Sequence, residues 1–194
     1  MTAWESVDDA TSYAQNLLAG DRVRLRALQE RDLSRLEAWW SDPDLAILQQ
    51  DVVRPRPAES MTETFRRWSS NDEYSSAGFS IVHRDEGTLL GHATIFGADV
   101  KNRAGTFAIV LGPEHMGQGY GTEAVRLMLA YGFREMGLHR IGLQTYAFNN
   151  RALAAYEKAG FREEGRRREV VFHDGAFHDE VQMGLLEHEW RAQR

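Results

Sequence analysis

A chain of 194 residues suits one domain with a real core, and 42% hydrophobic with 27% charged residues is an ordinary globular composition. A net charge of −6 argues against nucleic acid or an anionic membrane as the main partner, since both need a basic surface. The absence of cysteine excludes disulfides, cysteine nucleophiles and thiolate metal sites.

No apolar run approaches the length of a membrane span, and "MTAWESVDDATSYAQNLLAG" lacks a signal-peptide core, so the expected location is the cytoplasm. Residues 1–20 read as a polar extension, either a short helix or a disordered tail, ahead of a single domain over 21–194. "RVRLRAL", from Arg22 to Leu28, alternates basic and apolar residues and predicts a first strand. "ERDLSRLEAWWSDPDLA" predicts one helix with Asp32 as its N-cap. Pro55 and Pro57 punctuate a loop, and "AESMTETFRRWSS" predicts a second helix with Met61, Phe65 and Trp68 at helical spacing. Trp39, Trp40 and Trp68 read as core or interface. Asp42, Asp44 and Asp51 read as a solvated acidic loop rather than a lure for a cation.

Two strands follow, near Gly78 to His83 and near Leu89 to Phe96, joined by the turn "RDEG". "TFAIVLG", Thr106 to Gly112, is a continuous apolar run and predicts a strand buried on both faces. In the next helix, Val125, Met128, Leu129, Gly132, Phe133 and Met136 share one buried face, while Arg126, Ala130 and Arg134 share a solvated one. "RIGLQTYAF" is a further strand, and "NNRALAAYEKAG" is a helix ended by Gly160. "EVVFHDGAFHDEVQMGLL" closes the chain as a hairpin turning at Asp174-Gly175. The order predicts an α/β fold: a central, mostly antiparallel mixed sheet with helices on both faces.

The stretch "HMGQGYGTEAVRLML" places Gly117, Gly119 and Gly121 at alternate positions in front of a helix. A phosphate wants converging N–H donors and a chain that can come close. Glycine tolerates positive φ and lacks a Cβ, and the first turn of a helix adds unpaired N–H groups. A Walker A loop would end in Gly-Lys-Ser/Thr, but Gly121 is followed by Thr122 and Glu123. A Rossmann fingerprint has different glycine spacing and follows the first strand of its unit. Glu123 suits the helix dipole more than chemistry. His173, His178, Asp179 and Glu180 flank the last hairpin, but strand neighbours point to opposite faces, so no metal is expected.

A side chain that keeps its proton at neutral pH can serve as a general acid. Tyr156 is a suitable acid by type, and it lies two helical turns from Asn149. Spacing alone leaves it equally readable as packing on the Ala152, Ala155 and Ala159 face.

"PEHMGQGYGTEAV", "GLHRIGLQTYAFNNRALAAYEKAGFREEG" and "FHDGAFHDEVQM", in this order, resemble the GNAT family of acyl-CoA-dependent N-acetyltransferases. Within it, the likeness is to the branch of spermidine and ribosomal-protein alanine N-acetyltransferases, from about Arg22 to the C-terminus. The resemblance implies acetyl-CoA as co-substrate. Its diphosphate would lie on the backbone of Met116, Gly117, Gln118, Gly119, Tyr120, Gly121 and Thr122. Its pantetheine would pair with Ile109, Val110 and Leu111 and meet Asn149, Lys158 would join the cofactor set, and Tyr156 would be the general acid. The acceptor would be a primary amine of a small molecule such as a polyamine, or of a protein N-terminus, and the assembly a homodimer or larger homo-oligomer. Met116 stands where the family often has Arg or Gln. Thr106 stands where the spermidine enzymes carry a carboxylate, which puts both a spermidine acceptor and a simple general base in question. The competing class is a non-catalytic acyl-CoA-binding module.

Overall fold

The computed structural model describes residues 4–54, 56–57 and 59–193, so Pro55 lies outside the described residues. In chain order the elements are α1 (Val7–Leu17), β1 (Val23–Arg26), α2 (Glu30–Ser41), α3 (Pro43–Gln49), α4 (Thr62–Trp68), β2 (Ala77–His83), β3 (Leu89–Asp99), β4 (Ala104–Leu111), α5 (Tyr120–Arg134), β5 (Arg140–Tyr146), α6 (Asn150–Lys158), β6 (Arg162–His173), β7 (Ala176–Leu186) and α7 (Glu187–Ala192). The strands form one sheet in the order β1-β2-β3-β4-β5-β7-β6, antiparallel except between β4 and β5. This is the mixed, mostly antiparallel sheet that the element order predicts.

Each face of the sheet carries its own core. On one face, α5 packs Val125, Met128, Leu129 and Phe133 against Val23, Leu25, Ile95, Ile141 and Leu185. On the other, α2 to α4 enclose Leu33, Leu36, Trp39, Leu45, Met61 and Phe65 over Val110. Trp40 and Trp68 pack on this second core, T-shaped to each other at 5.4 Å.

Several local expectations change. Residues 30–49 form two helices, not one, because Pro43 has no N–H to continue α2. Asp42 turns extended there and accepts the Asp44 N–H at 2.9 Å, so it caps α3. Asp32 is not an N-cap but lies inside the first turn of α2, which Gln29 precedes. Only 2% exposed, it accepts the Gln29 N–H (2.9 Å), two Arg26 N–H groups (2.6 and 2.8 Å) and the Ser80 hydroxyl (2.8 Å). These donors hold its carboxyl below the usual range even though burial opposes them.

Ala130 is buried rather than solvated. It belongs to the core cluster on the α5 face, and the N-terminal extension folds as α1, begun by a Ser6–Asp9 capping box, and packs on α5. The Tyr13 hydroxyl bonds Glu135, and Arg134 lies over the Tyr13 and Trp190 rings, the second belonging to the unexpected α7. The last hairpin does turn at Asp174 and Gly175, both at positive φ. Its first strand begins at Arg162 rather than Glu169, because β6 is an edge strand of charged residues interrupted by bulges, with no apolar alternation to mark it.

His92 on β3 sits between the sheet and α4, only 2% exposed, with Nε2 2.7 Å from the Ser69 hydroxyl and the Phe65 ring 5.4 Å away. Burial pushes its pKa down to about 4, against a weaker upward pull from Asp32. The folded chain therefore holds His92 neutral while the unfolded chain binds a proton below its ordinary value near 6.5. Stability is lost as pH falls from about 6.5 to about 4, by up to ~1.4 kcal/mol per pH unit. Urea denaturation of wild type and His92→Gln across that window is expected to give a flatter pH dependence in the variant. Equal slopes would show that His92 already carries its proton in the fold.

Candidate active site

β4 and β5 pair only at Ala104–Arg140, Gly105–Ile141 and Thr106–Gly142, then separate. β3 continues to hold β4 as far as Leu111, and β7 holds β5 as far as Tyr146. The gap between them is a cleft of about 590 Å³ that passes through the sheet. On one face it is walled by the start of α5 and by α6, on the other by α3.

Strand periodicity shows which backbone groups face the gap. The Arg103 carbonyl accepts the Arg140 N–H on the β5 side, and the Gly112 N–H reaches the Leu90 carbonyl on the β3 side. Alternation between these two ends turns the N–H and C=O groups of Phe107, Ile109 and Leu111 toward the cleft. The run "TFAIVLG" is thus not buried on both faces, since Ala108 is exposed and Ile109 half-buried. Its side chains line a cavity, and an apolar cavity wall reads in sequence like a core strand.

The glycine loop stands at the α5 end of the cleft. Gly117 and Gly119 have φ of +74° and +88°, which only glycine adopts at low cost, and a Cβ on Gly121 would come within 2.9 Å of Leu111. The Met116 N–H goes to the Pro113 carbonyl, and the next bonded N–H is that of Glu123, to Gly119. Between them, the N–H groups of Gly117, Gln118, Gly119, Tyr120, Gly121 and Thr122 have no acceptor among the described residues. A run of free donors ending on a helix N-terminus is an anion cradle.

Two residues outside the cleft lining brace this loop: Arg22, which no motif marked, and Glu123, which the sequence assigned to the helix dipole. Arg22 donates to the Gln118 carbonyl at 3.1 Å and lies 5.0 Å over the Tyr120 ring. Glu123 accepts the N–H groups of Arg22 and Val23 at 2.8 and 3.1 Å. Glu123 thus ties β1 to α5, a role beyond the helix dipole. Arg22 and Gln118 lie far apart in sequence, so no local pattern could announce the contact.

On the α6 wall, Asn149 caps the helix by accepting the Ala152 N–H at 3.2 Å, which leaves its amide nitrogen free. Tyr156 is 9% exposed, edge-on to Phe107 and Phe161, so it is both a core residue and part of the cleft wall. Its hydroxyl has no partner among the described residues, and burial pushes its pKa up to about 12. It keeps its proton at neutral pH.

Among the residues singled out from sequence, Ile109, Val110, Leu111, Met116, Gly117, Gly119, Gly121, Thr122, Asn149, Tyr156 and Lys158 all line this one cleft. Gln118 and Tyr120 do not: the Gln118 amide donates to the Glu114 carbonyl at 2.7 Å, and the Tyr120 ring packs on His83 and Arg22. Only their backbone N–H groups join the cradle. His173, His178, Asp179 and Glu180 do not line the cleft, although the His173 and His178 rings pack on Tyr146 and Phe148 at the end of β5, and no metal-sized group of His, Asp and Glu occurs among the described residues.

The profile of the acetyltransferase (GNAT) domain family matches residues 22–162. The spermidine N(1)-acetyltransferase of Vibrio cholerae is 28% identical over 86% of this chain and 94% of its own. YdaF of Bacillus subtilis, a candidate ribosomal N-acetyltransferase, is 27% identical over 90% of this chain and 96% of its own. The crystal structure of the Vibrio cholerae spermidine N-acetyltransferase with CoA and spermine superposes with a TM-score of 0.78, at 24% identity over 89% of this chain and 99% of that one.

The loop geometry yields a direct test. A side chain at Gly119 would sit at φ +88° with its Cβ 2.8 Å from the Arg22 guanidinium. Relieving that strain would turn the donors out of line, at a cost of about 1–3 kcal/mol. Gly119→Val is therefore expected to weaken calorimetric CoA affinity about 5- to 150-fold while circular dichroism stays native. An unchanged Kd in the folded variant would remove the loop as the anion cradle.

Proposed function

Because the chain belongs to the GNAT acetyltransferase family, using acetyl-CoA as co-substrate to acetylate an amine, we propose that its cleft carries out that transfer with the residues placed above. The observation that carries this reading is the pairing of the free N–H run at Gly117 to Thr122 with an unpaired β4 edge on the same cleft. The loop holds the diphosphate. The β4 edge takes the pantetheine amides as a further strand would, with the Asn149 amide nitrogen and Lys158 completing the α6 side. The N–H of Ile109, turned into the gap, serves the oxyanion.

Tyr156 serves as the acid. The amine nitrogen bonds to the acyl carbon, the carbon–sulfur bond breaks, and the phenol hydroxyl donates to the departing sulfur. With its pKa near 12 the phenol is a weaker acid than a thiol near ~8.5. Complete transfer therefore requires that the proton shed by the amine reach the phenol in the same step. The donated hydrogen bond stabilises the developing thiolate either way.

We further propose that the chain assembles as a homo-oligomer, most simply a dimer. In support, Phe172 and Phe177 are 56% and 62% exposed and pack on each other at 5.0 Å at the hairpin tip, an apolar surface suited to burial by a second copy. Light scattering is expected to give about twice 22.1 kDa, and 22.1 kDa across micromolar concentrations would refute the dimer.

Tyr156→Phe tests the acid. It keeps the ring between Phe107 and Phe161 and removes a hydroxyl with no partner, so the melting temperature is expected to hold. The kcat is expected to fall about 10–10³-fold, at or below the range for a positioned acid, with the KM for acetyl-CoA nearly constant. Full kcat, with viscosity tests showing that chemistry limits the rate, would leave water as the proton source.

A further inference from the structure

The two faces of the cleft carry different chemistry. Phe107, Ile109 and Leu111 pack with the α5 core and Val110 with the α2–α4 core, so strand alternation turns Thr106 with Val110 toward α3. Phe96 shares a face with His92, which touches Phe65 of α4. Gln144 shares a face with Tyr146, whose hydroxyl bonds Asp51 just beyond α3. The α3 face of the cleft is therefore built from Leu45, Leu48 and Gln49 of α3, Phe96 of β3, Thr106 of β4 and Gln144 of β5. All are uncharged. Phe96 leaves 44% of its surface open there.

No described residue lining the cleft is Asp or Glu, and its charged side chains are the cations Arg151 and Lys158 on the α6 face, beside the anion cradle. Two carboxylates stand at Tyr146 outside the lining: the exposed Asp51 accepts its hydroxyl at 3.2 Å, and Glu180, opposite it on β7, is paired with Arg167 at 3.0 Å.

From this we infer that the acceptor is a primary monoamine with an uncharged, apolar body, which enters over Phe96, Leu45 and Leu48 and is selected against di- and polyamines. The inference rests on the transfer reading above and names its acceptor class. The reacting amine sheds its ammonium proton before attack, so its nitrogen needs no standing counter-ion. A second ammonium keeps its charge, and against Gln49, Gln144 and apolar walls it loses water and gains no counter-charge. No carboxylate lines the cleft to take the amine proton, so the amine must reach the thioester already neutral, and its proton leaves to water.

Hexylamine and 1,6-diaminohexane differ only in the second ammonium and make the direct test. With acetyl-CoA and the full chain, thiol release is expected to give hexylamine a kcat/KM at least about tenfold above 1,6-diaminohexane and spermidine. Gln144→Glu, or Gln49→Glu should the first fail to fold, places a carboxylate on the α3 face. Either is expected to shift that ratio about tenfold toward the diamine. A wild-type enzyme that prefers the diamine or spermidine overturns this inference alone, as does a ratio unmoved in both folded variants. Faster turnover of an Ala-initiated peptide than of hexylamine assigns the face to a peptide N-terminus and overturns the small-amine acceptor. CoA binding without turnover of any amine overturns the transfer reading itself, and this inference with it.

Discussion

The parting of β4 from β5 is the constraint on which the rest of the structure depends. Two strands that begin as a parallel pair stop sharing hydrogen bonds after Thr106 and Gly142. Unpaired backbone groups inside a fold are costly, so such a gap persists only if each strand is held elsewhere. Here β3 holds β4 along its whole length, and β7 does the same for β5. The two separated edges then offer donors and acceptors to a ligand that can lie between them. α5, α6 and α3 matter to function because they close the sides of this gap.

The glycine loop is the second fixed point, and it is held from outside the cleft. Its donors are free because its own turn spends none of them between Met116 and Glu123. A free loop of glycines would lose its shape, and Arg22 and Glu123 oppose that. One ties the Gln118 carbonyl and the Tyr120 ring to the start of β1, and the other ties the backbone of β1 to α5. Neither Arg22 nor Glu123 lines the cleft, so the bracing leaves the phosphate side open.

Tyr156 shows why a single residue can satisfy two descriptions. Its ring is buried edge-on between Phe107 and Phe161, and its hydroxyl has no partner among the described residues where it meets the cleft. Packing fixes the ring's direction, and burial keeps the proton on the oxygen. A carboxylate-free lining around it leaves the cleft to the anionic co-substrate on the α6 face and to an uncharged body on the α3 face.

The sequence by itself determined the element order, the mixed sheet and the cradle. These follow from local rules: apolar periods of two and 3.6, glycines at positive φ, and a helix stop at Gly160. It also identified most of the cleft wall, because the loop, β4 and α6 are each marked by their own motif. It misjudged what only neighbours decide. Ala130 is buried because the assembled core encloses its side of α5, Asp32 is a buried anchor because Arg26 and Ser80 converge on it, and β4 is half open because β5 turns away. The brace at Arg22 and Glu123 and the neutral α3 face are in the same class. They join residues far apart in the chain, and a one-dimensional pattern carries no signal for a contact that forms only when the sheet closes.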